Sequence, residues 1–401
     1  MAALLRNPRL LSSQTLIRLF SSSKTLETPL TPTYRSLKSQ LRSEFDPENL
    51  VRIFQQSSHT PRFQRDRSVF DICVSKLSRS QRFDLIEQIL EHQKKDLIGL
   101  KTEGFWIRIM MLYSQSRMLD QAVRVFDQME EELGCKRTEK SLSALLSVCL
   151  ENRRFDLVHE FFESAPKKTG VDPGIVHYNL VVRAFCKENK VEKARALIEK
   201  LESENNVKPD ITSYNIMLGA YARNGDDAKF DEIMEQINDK ELKQNVNTYN
   251  HRIARLCKNK ECSRAKKLVE VMASKGIEPN RATYNILIEG YCRAADFGSA
   301  KKVMEKMKKG DSVSPNPDTY FTFVRYYVQE KEFDSALEMC KESFEKKWIP
   351  PFDTMKELVN GLVSVSEEDK AKEIVEEMKK RLKGSAADSW AKIEGDLPLS
   401  Q

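Results

Sequence analysis

The sequence is organised by a repeat. Tyr178-Asn179, Tyr214-Asn215, Tyr249-Asn250 and Tyr284-Asn285 recur at intervals of 36, 35 and 35 residues. Self-similarity of this length marks a helical solenoid, because one such unit buries too little apolar surface to stand alone and must stack on its neighbours. Other landmarks keep the same phase. Ala194, Ala265, Ala300, Ala336 and Ala371 share one repeat position, and Pro209, Pro279, Pro315 and Pro350 close units just before the next begins. Extended in both directions, the register predicts units at 67–102, 103–138, 139–174, 175–210, 211–245, 246–280, 281–316 and 317–351, with a degenerate last one at 352–386.

Within a unit the spacing is helical. Tyr284, Leu287, Ile288 and Tyr291 fall at i, i+3, i+4 and i+7 and share one stripe. Phe297, Ala300, Val303, Met304 and Met307 make a second apolar face after the short connection Ala294-Ala295-Asp296, which forces an antiparallel pair. With only 14 Gly and 14 Pro in 401 residues, helix is favoured throughout. The expected fold is all-α: a right-handed α-solenoid of about nine 35- to 36-residue hairpins, its concave face lined by the first helices. Stretches 34–45 and 47–56 read as helices that cap the array within 24–66, residues 24–33 as a linker, and residues 387–401 as a C-terminal tail.

The ends and the cysteines limit the chemistry. Residues 1–23 carry Arg6, Arg9 and Arg18 among leucines and serines with no acid before Glu27, the pattern of a mitochondrial transit peptide. No apolar run nears the roughly 18 residues a membrane span needs. Cys186, Cys257 and Cys292 take equivalent repeat positions beside apolar residues, as packing cysteines do, and no ligand pair at zinc spacing accompanies Cys257 and Cys262. No Walker loop, dinucleotide fingerprint or zinc-deaminase motif is present, so we expect a chain that is not an enzyme and uses no cofactor, metal or small-molecule substrate.

Segments such as Arg281-Ala282-Thr283-Tyr284-Asn285-Ile286-Leu287-Ile288-Glu289-Gly290-Tyr291 resemble the P-class pentatricopeptide repeat, over roughly residues 67–386. The resemblance implies a plant organellar protein, mitochondrial in preference to chloroplast, that binds single-stranded RNA with one base per repeat. It implies base readers at the residue after the tyrosine and the last residue of the unit: Asn179 with Asp210, Asn215 with Asn245, Asn250 with Asn280, and Asn285 with Asn316. By the family's pairing rule these specify U-Y-Y-Y. The stacking position is Val176 in the first of these units, and Thr212, Asn247 and Ala282 in the next three, which clamp a base less firmly.

Independently of that code, Lys187, Arg223, Lys258 and Arg293 lie eight residues after each asparagine, about 12 Å along a helix, where they can meet phosphates. Four such contacts predict a salt slope near roughly −3. The formal charge of +6 is too small to argue for nucleic acid, so the case rests on placement. The runs Glu130 to Glu132 and Lys301, Lys302, Lys306, Lys308 and Lys309 read as solvated helix faces. Flanking units put Asp71, Ile107, Ser143, Phe321 and Lys356 at the reader position and are expected to be spacers or caps. A U-Y-Y-Y core occurs in roughly one in 32 random tetranucleotides, too often to select one transcript. A second resemblance, carried by Trp348-Ile349-Pro350 and Met355 to Leu362, is to components of the plant mitochondrial ribosome, and implies the small subunit as a partner and a role in translation. The alternatives are a protein-binding scaffold and a transcript-specific factor for RNA processing or stability.

Overall fold

The computed structural model describes residues 34–58, 63, 66–96, 102–131, 134–204, 207–309 and 313–399; the leader at 1–23 and the linker at 24–33 lie outside them. The described residues form 21 helices and no strand. Two of these, Tyr34–Ser43 and Pro47–Ser57, precede nine hairpins. The hairpins are Arg67–Arg79 with Phe83–Asp96, Glu103–Gln115 with Leu119–Glu131, Glu139–Glu151 with Phe155–Thr169, Ile175–Lys187 with Val191–Glu204, Ile211–Asn224 with Asp227–Asp239, Val246–Lys258 with Cys262–Ser274, Arg281–Arg293 with Phe297–Lys309, Pro317–Gln329 with Phe333–Glu345, and Phe352–Ser364 with Glu368–Arg381.

The same local chemistry makes each hairpin. Its turn holds one left-handed residue, in order Gln81, Arg117, Arg153, Asn189, Gly225, Lys260, Ala295, Lys331 and Ser366. The residue after it donates its N–H to a carbonyl five residues back, as Asp296 does to Tyr291 at 2.9 Å and Glu332 to Tyr327 at 2.8 Å. That bond ends the first helix by satisfying an orphan carbonyl and reverses the chain. At the other end, the last residue of each predicted unit is the N-cap of the next first helix, from Thr102 to Pro351.

Successive first helices pack directly on one another, whereas successive second helices are bridged by long ion pairs such as Lys341–Glu373 at 3.0 Å. Closer approach on one side curves the stack, so the first helices line its concave face. The curvature returns the chain on itself: Phe45, Pro47 and Leu50 of the N-terminal cap share a cleft with Lys383, Gly384 and Ala386. All eight cysteines are free and buried, and the buried apolar residues form three clusters along the stack.

Within the predicted C-terminal tail, Ser385–Glu394 is a helix whose Trp390 is 1% exposed and packs edge-on against Phe352 at 5.5 Å. The last hairpin leaves one apolar face uncovered, and the indole and Leu397 cover it.

Candidate nucleic-acid interface

The asparagines after the tyrosines lie near the start of the first helices, on the face turned to the next unit. Three of the amides meet the cap of the following helix: Asn179 Nδ2 donates to Asp210 Oδ1, Asn215 to Asn245 Oδ1 and Asn285 to Asn316 Oδ1, all at 3.1 Å. The caps set the orientation. Asn245 Oδ1 already accepts backbone N–H groups of Asn247 and Thr248, so only the nitrogen end of Asn215 can face it. The hydroxyl at the third helical position closes the network, Ser213 donating to Asn179 Oδ1 at 2.6 Å, Thr283 to Asn250 at 2.7 Å and Thr319 to Asn285 at 2.8 Å.

Predicted reader, unit-end residue and hydroxyl are therefore one ladder running between repeats. Asp210, Asn245, Asn280 and Asn316 each form a capping box with that Ser or Thr, so the unit-end position carries helix initiation whether or not it touches a base. Burial raises the Asp210 carboxyl pKa, but hydrogen bonds from Asn179, Ser213 and Thr212 outweigh it and hold the group below its ordinary range. The capping hydroxyls were legible as an Asn/Asp-x-x-Ser/Thr spacing, a signal that the repeat pattern overshadowed.

Asn215 differs from the other predicted readers. It is 5% exposed and its Oδ1 has no hydrogen-bond partner in the protein, the Thr248 hydroxyl lying in range of Asn245 Oδ1 at 3.3 Å and making no bond to Asn215. A buried acceptor without a donor costs about 1–3 kcal/mol. This residue lines a cleft of about 300 Å³ with Arg183, Lys187, Arg223, Thr212 and His251. The wall is formed by close approach, since a Cβ at Gly219 would stand 2.8 Å from His251 Cε1. Burial, and then the Arg223 charge, push the His251 pKa down to about 4, so the imidazole stays neutral beside three cations. Arg183, His251 and Gly219 were not legible as site residues, because each falls outside the repeated positions.

The basic row is exposed but divided in two. Lys187 and Arg223 open onto the cleft. Lys258 Nζ caps the preceding first helix by donating to the Ala222 and Arg223 carbonyls at 3.0 Å each, and Arg293 pairs with Glu289 at 2.9 Å. At the stacking position Val176 is 57% exposed, and Thr212, Asn247 and Ala282 are exposed as well.

A PPR repeat family model matches residues 244–293 and 282–329, and a model of the pentacotripeptide-repeat region of PRORP matches 109–250. A mitochondrial pentatricopeptide repeat-containing protein of Arabidopsis thaliana is 36% identical over 399 residues, 98% of this chain and 97% of that one. The chain belongs to the pentatricopeptide repeat family. Within that family it is also similar to the small ribosomal subunit protein mS79 of Arabidopsis thaliana, 33% identical over 147 residues, which is 37% of each chain. Among solved structures, the pentatricopeptide repeat protein PPR10 from maize aligns over 91% of this chain and 50% of its own, at 20% identity and a TM-score of 0.45.

Proposed function

We propose that this pentatricopeptide repeat protein is a non-catalytic binder of single-stranded RNA in mitochondria, acting in translation in association with the ribosome through its units 175–316. The observation that carries the reading is the cleft at Asn215, a buried acceptor without a donor beside Arg183, Lys187 and Arg223. Its Oδ1 is shielded from solvent in the free chain and would meet a base-edge donor, such as the amino group of cytosine, on turning of the Asn215 side chain toward the cleft, where the cations suit the adjoining phosphates. Asn179, Asn250 and Asn285 take up their own carbonyl oxygens internally, which leaves them the second N–H of each amide for a pyrimidine acceptor. The mitochondrial and ribosomal placement is supported by the relatives, among them a mitochondrial pentatricopeptide repeat-containing protein and the small ribosomal subunit protein mS79.

Binding of a U-Y-Y-Y oligonucleotide and of a purine control by the full chain tests base reading. Asn215, Asn250 and Asn285 changed together to Ala are expected to weaken the pyrimidine complex by several kcal/mol, at about 1–3 per base. Asn280→Ser keeps the cap while removing the amide, and is expected to weaken binding without loss of stability. Equal affinity of the wild-type chain for the purine control would sink the reading. Sedimentation of organelle extract with and without magnesium chelation tests the ribosomal role, which free migration under both conditions would reject.

A further inference from the structure

The outer face of the stack, formed by the second helices, is acidic in several places and basic in one. Helix Leu119–Glu131 has one arginine against four acids, Asp227–Asp239 one lysine against five, and Phe333–Glu345 one lysine against four. Two successive second helices reverse the sign. Cys262–Ser274 carries three cations against one glutamate, and Phe297–Lys309 five lysines against one.

Elsewhere the outer face is laced by ion pairs between neighbouring second helices: Lys229–Glu192 at 2.6 Å, Lys301–Glu338 at 3.4 Å, Lys370–Asp334 at 2.8 Å. Between the two basic helices no such pair forms among the described residues. Lys266, Lys267, Lys302, Lys306 and Lys309 are exposed, and none of them forms an ion pair among the described residues. The cations here outnumber the neighbouring carboxylates Glu270, Glu278 and Glu305, so the cluster is a net positive surface that suits an external anion.

Beside it lies a cleft of about 770 Å³ whose lining includes Lys301, Lys302, Lys306 and Lys309, the two acids Glu278 and Glu305, and Tyr284. The sequence places Tyr284 on the buried stripe, yet it is only half-buried, and Lys306 Nζ stands 5.9 Å from its ring centre. Lys302, Lys306 and Lys309 fall at i, i+4 and i+7 and form one stripe. Lysines are point charges suited to phosphate, and no amide lines this cleft to read a base edge.

We propose that this outer cluster is a second nucleic-acid site, one that binds the phosphate backbone of double-stranded RNA independently of sequence. Duplex RNA is recognised mostly through shape, 2′-hydroxyls and phosphates, its deep major groove being closed to side chains, which matches a surface of charge without readers. The protein would then hold a single strand within its groove and a duplex segment against its back. The proposal rests on charge placement and not on the base-reading ladder.

Fluorescence anisotropy of the full chain with a short blunt-ended RNA duplex and with a single-stranded pyrimidine oligonucleotide tests it. K302E/K306E/K309E is expected to bind the duplex at least about tenfold more weakly and to flatten its salt slope by about 2 to 3, with single-strand affinity unchanged. The glutamine triple variant at the same positions guards against misfolding and is expected to change duplex binding in the same direction by less. K187E/R223E is expected to do the converse, weakening the single-strand complex alone. No duplex binding by the wild-type chain, duplex binding lost only with K187E/R223E, or preference for a polyglutamate peptide over the duplex would overturn the proposal.

Discussion

At the residue scale, His251 shows how a neutral side chain is held among cations. Its imidazole packs over Gly219, and the same burial that shapes the cleft pushes its pKa from an ordinary 6.5 to about 4. On acidification below about 6.5 the unfolded chain takes up a proton that the folded chain refuses. Stability is therefore full above that pH and falls as pH drops towards 4, by at most about 3 kcal/mol. Denaturant unfolding at pH 7 and pH 4.5 checks this: the wild-type chain is expected to lose more stability than His251→Gln, and equal losses would count against a buried neutral ring. The asparagine ladder shows another consequence of position. Asn280 was legible as a unit-end residue, but its bond to the Thr283 backbone N–H makes it a cap before it is anything else.

At the element scale, the nine hairpin turns solve one problem with seven residue types. A left-handed backbone costs a non-glycine residue on the order of 1 kcal/mol, and eight of the nine turns bear that cost. Ala295, with φ at 55°, has no side-chain role that a glycine would forfeit beyond its methyl group. Ala295→Gly is expected to raise stability by up to about 1 kcal/mol, read as a higher denaturant midpoint; a lower midpoint would mean that unfolded-chain entropy outweighs the relief. The period, the helix pairs and the short turns were legible because each depends on residues within one unit. The closing of the C-terminal end by Trp390 was not, since 387–401 carries no repeat landmark and the face it covers is made by residues of another hairpin.

At the scale of the whole molecule, nine hairpins curve far enough for the N-terminal cap to meet the C-terminal segment, where Phe45 Cδ1 is 3.8 Å from the place a Cβ would take on Gly384. Cysteines at positions 45 and 383 are expected to be joined within one chain by a short bis-maleimide, read as a faster-migrating species on a denaturing gel. The native cysteines are all buried and should not compete. Cross-linking only between chains would show that the ends stand apart in solution.

The sequence by itself determined the helical hairpin, its 35-residue period and the candidate readers, because period and capping are short-range properties that recur whenever the unit recurs. Only the tertiary structure decided which amide keeps an open acceptor, which cations are already spent on carbonyls and carboxylates, and where the outer face turns positive. Those outcomes depend on side chains from two neighbouring units meeting across a stack, and repeat positions that look equivalent along the chain acquire different neighbours once it curves.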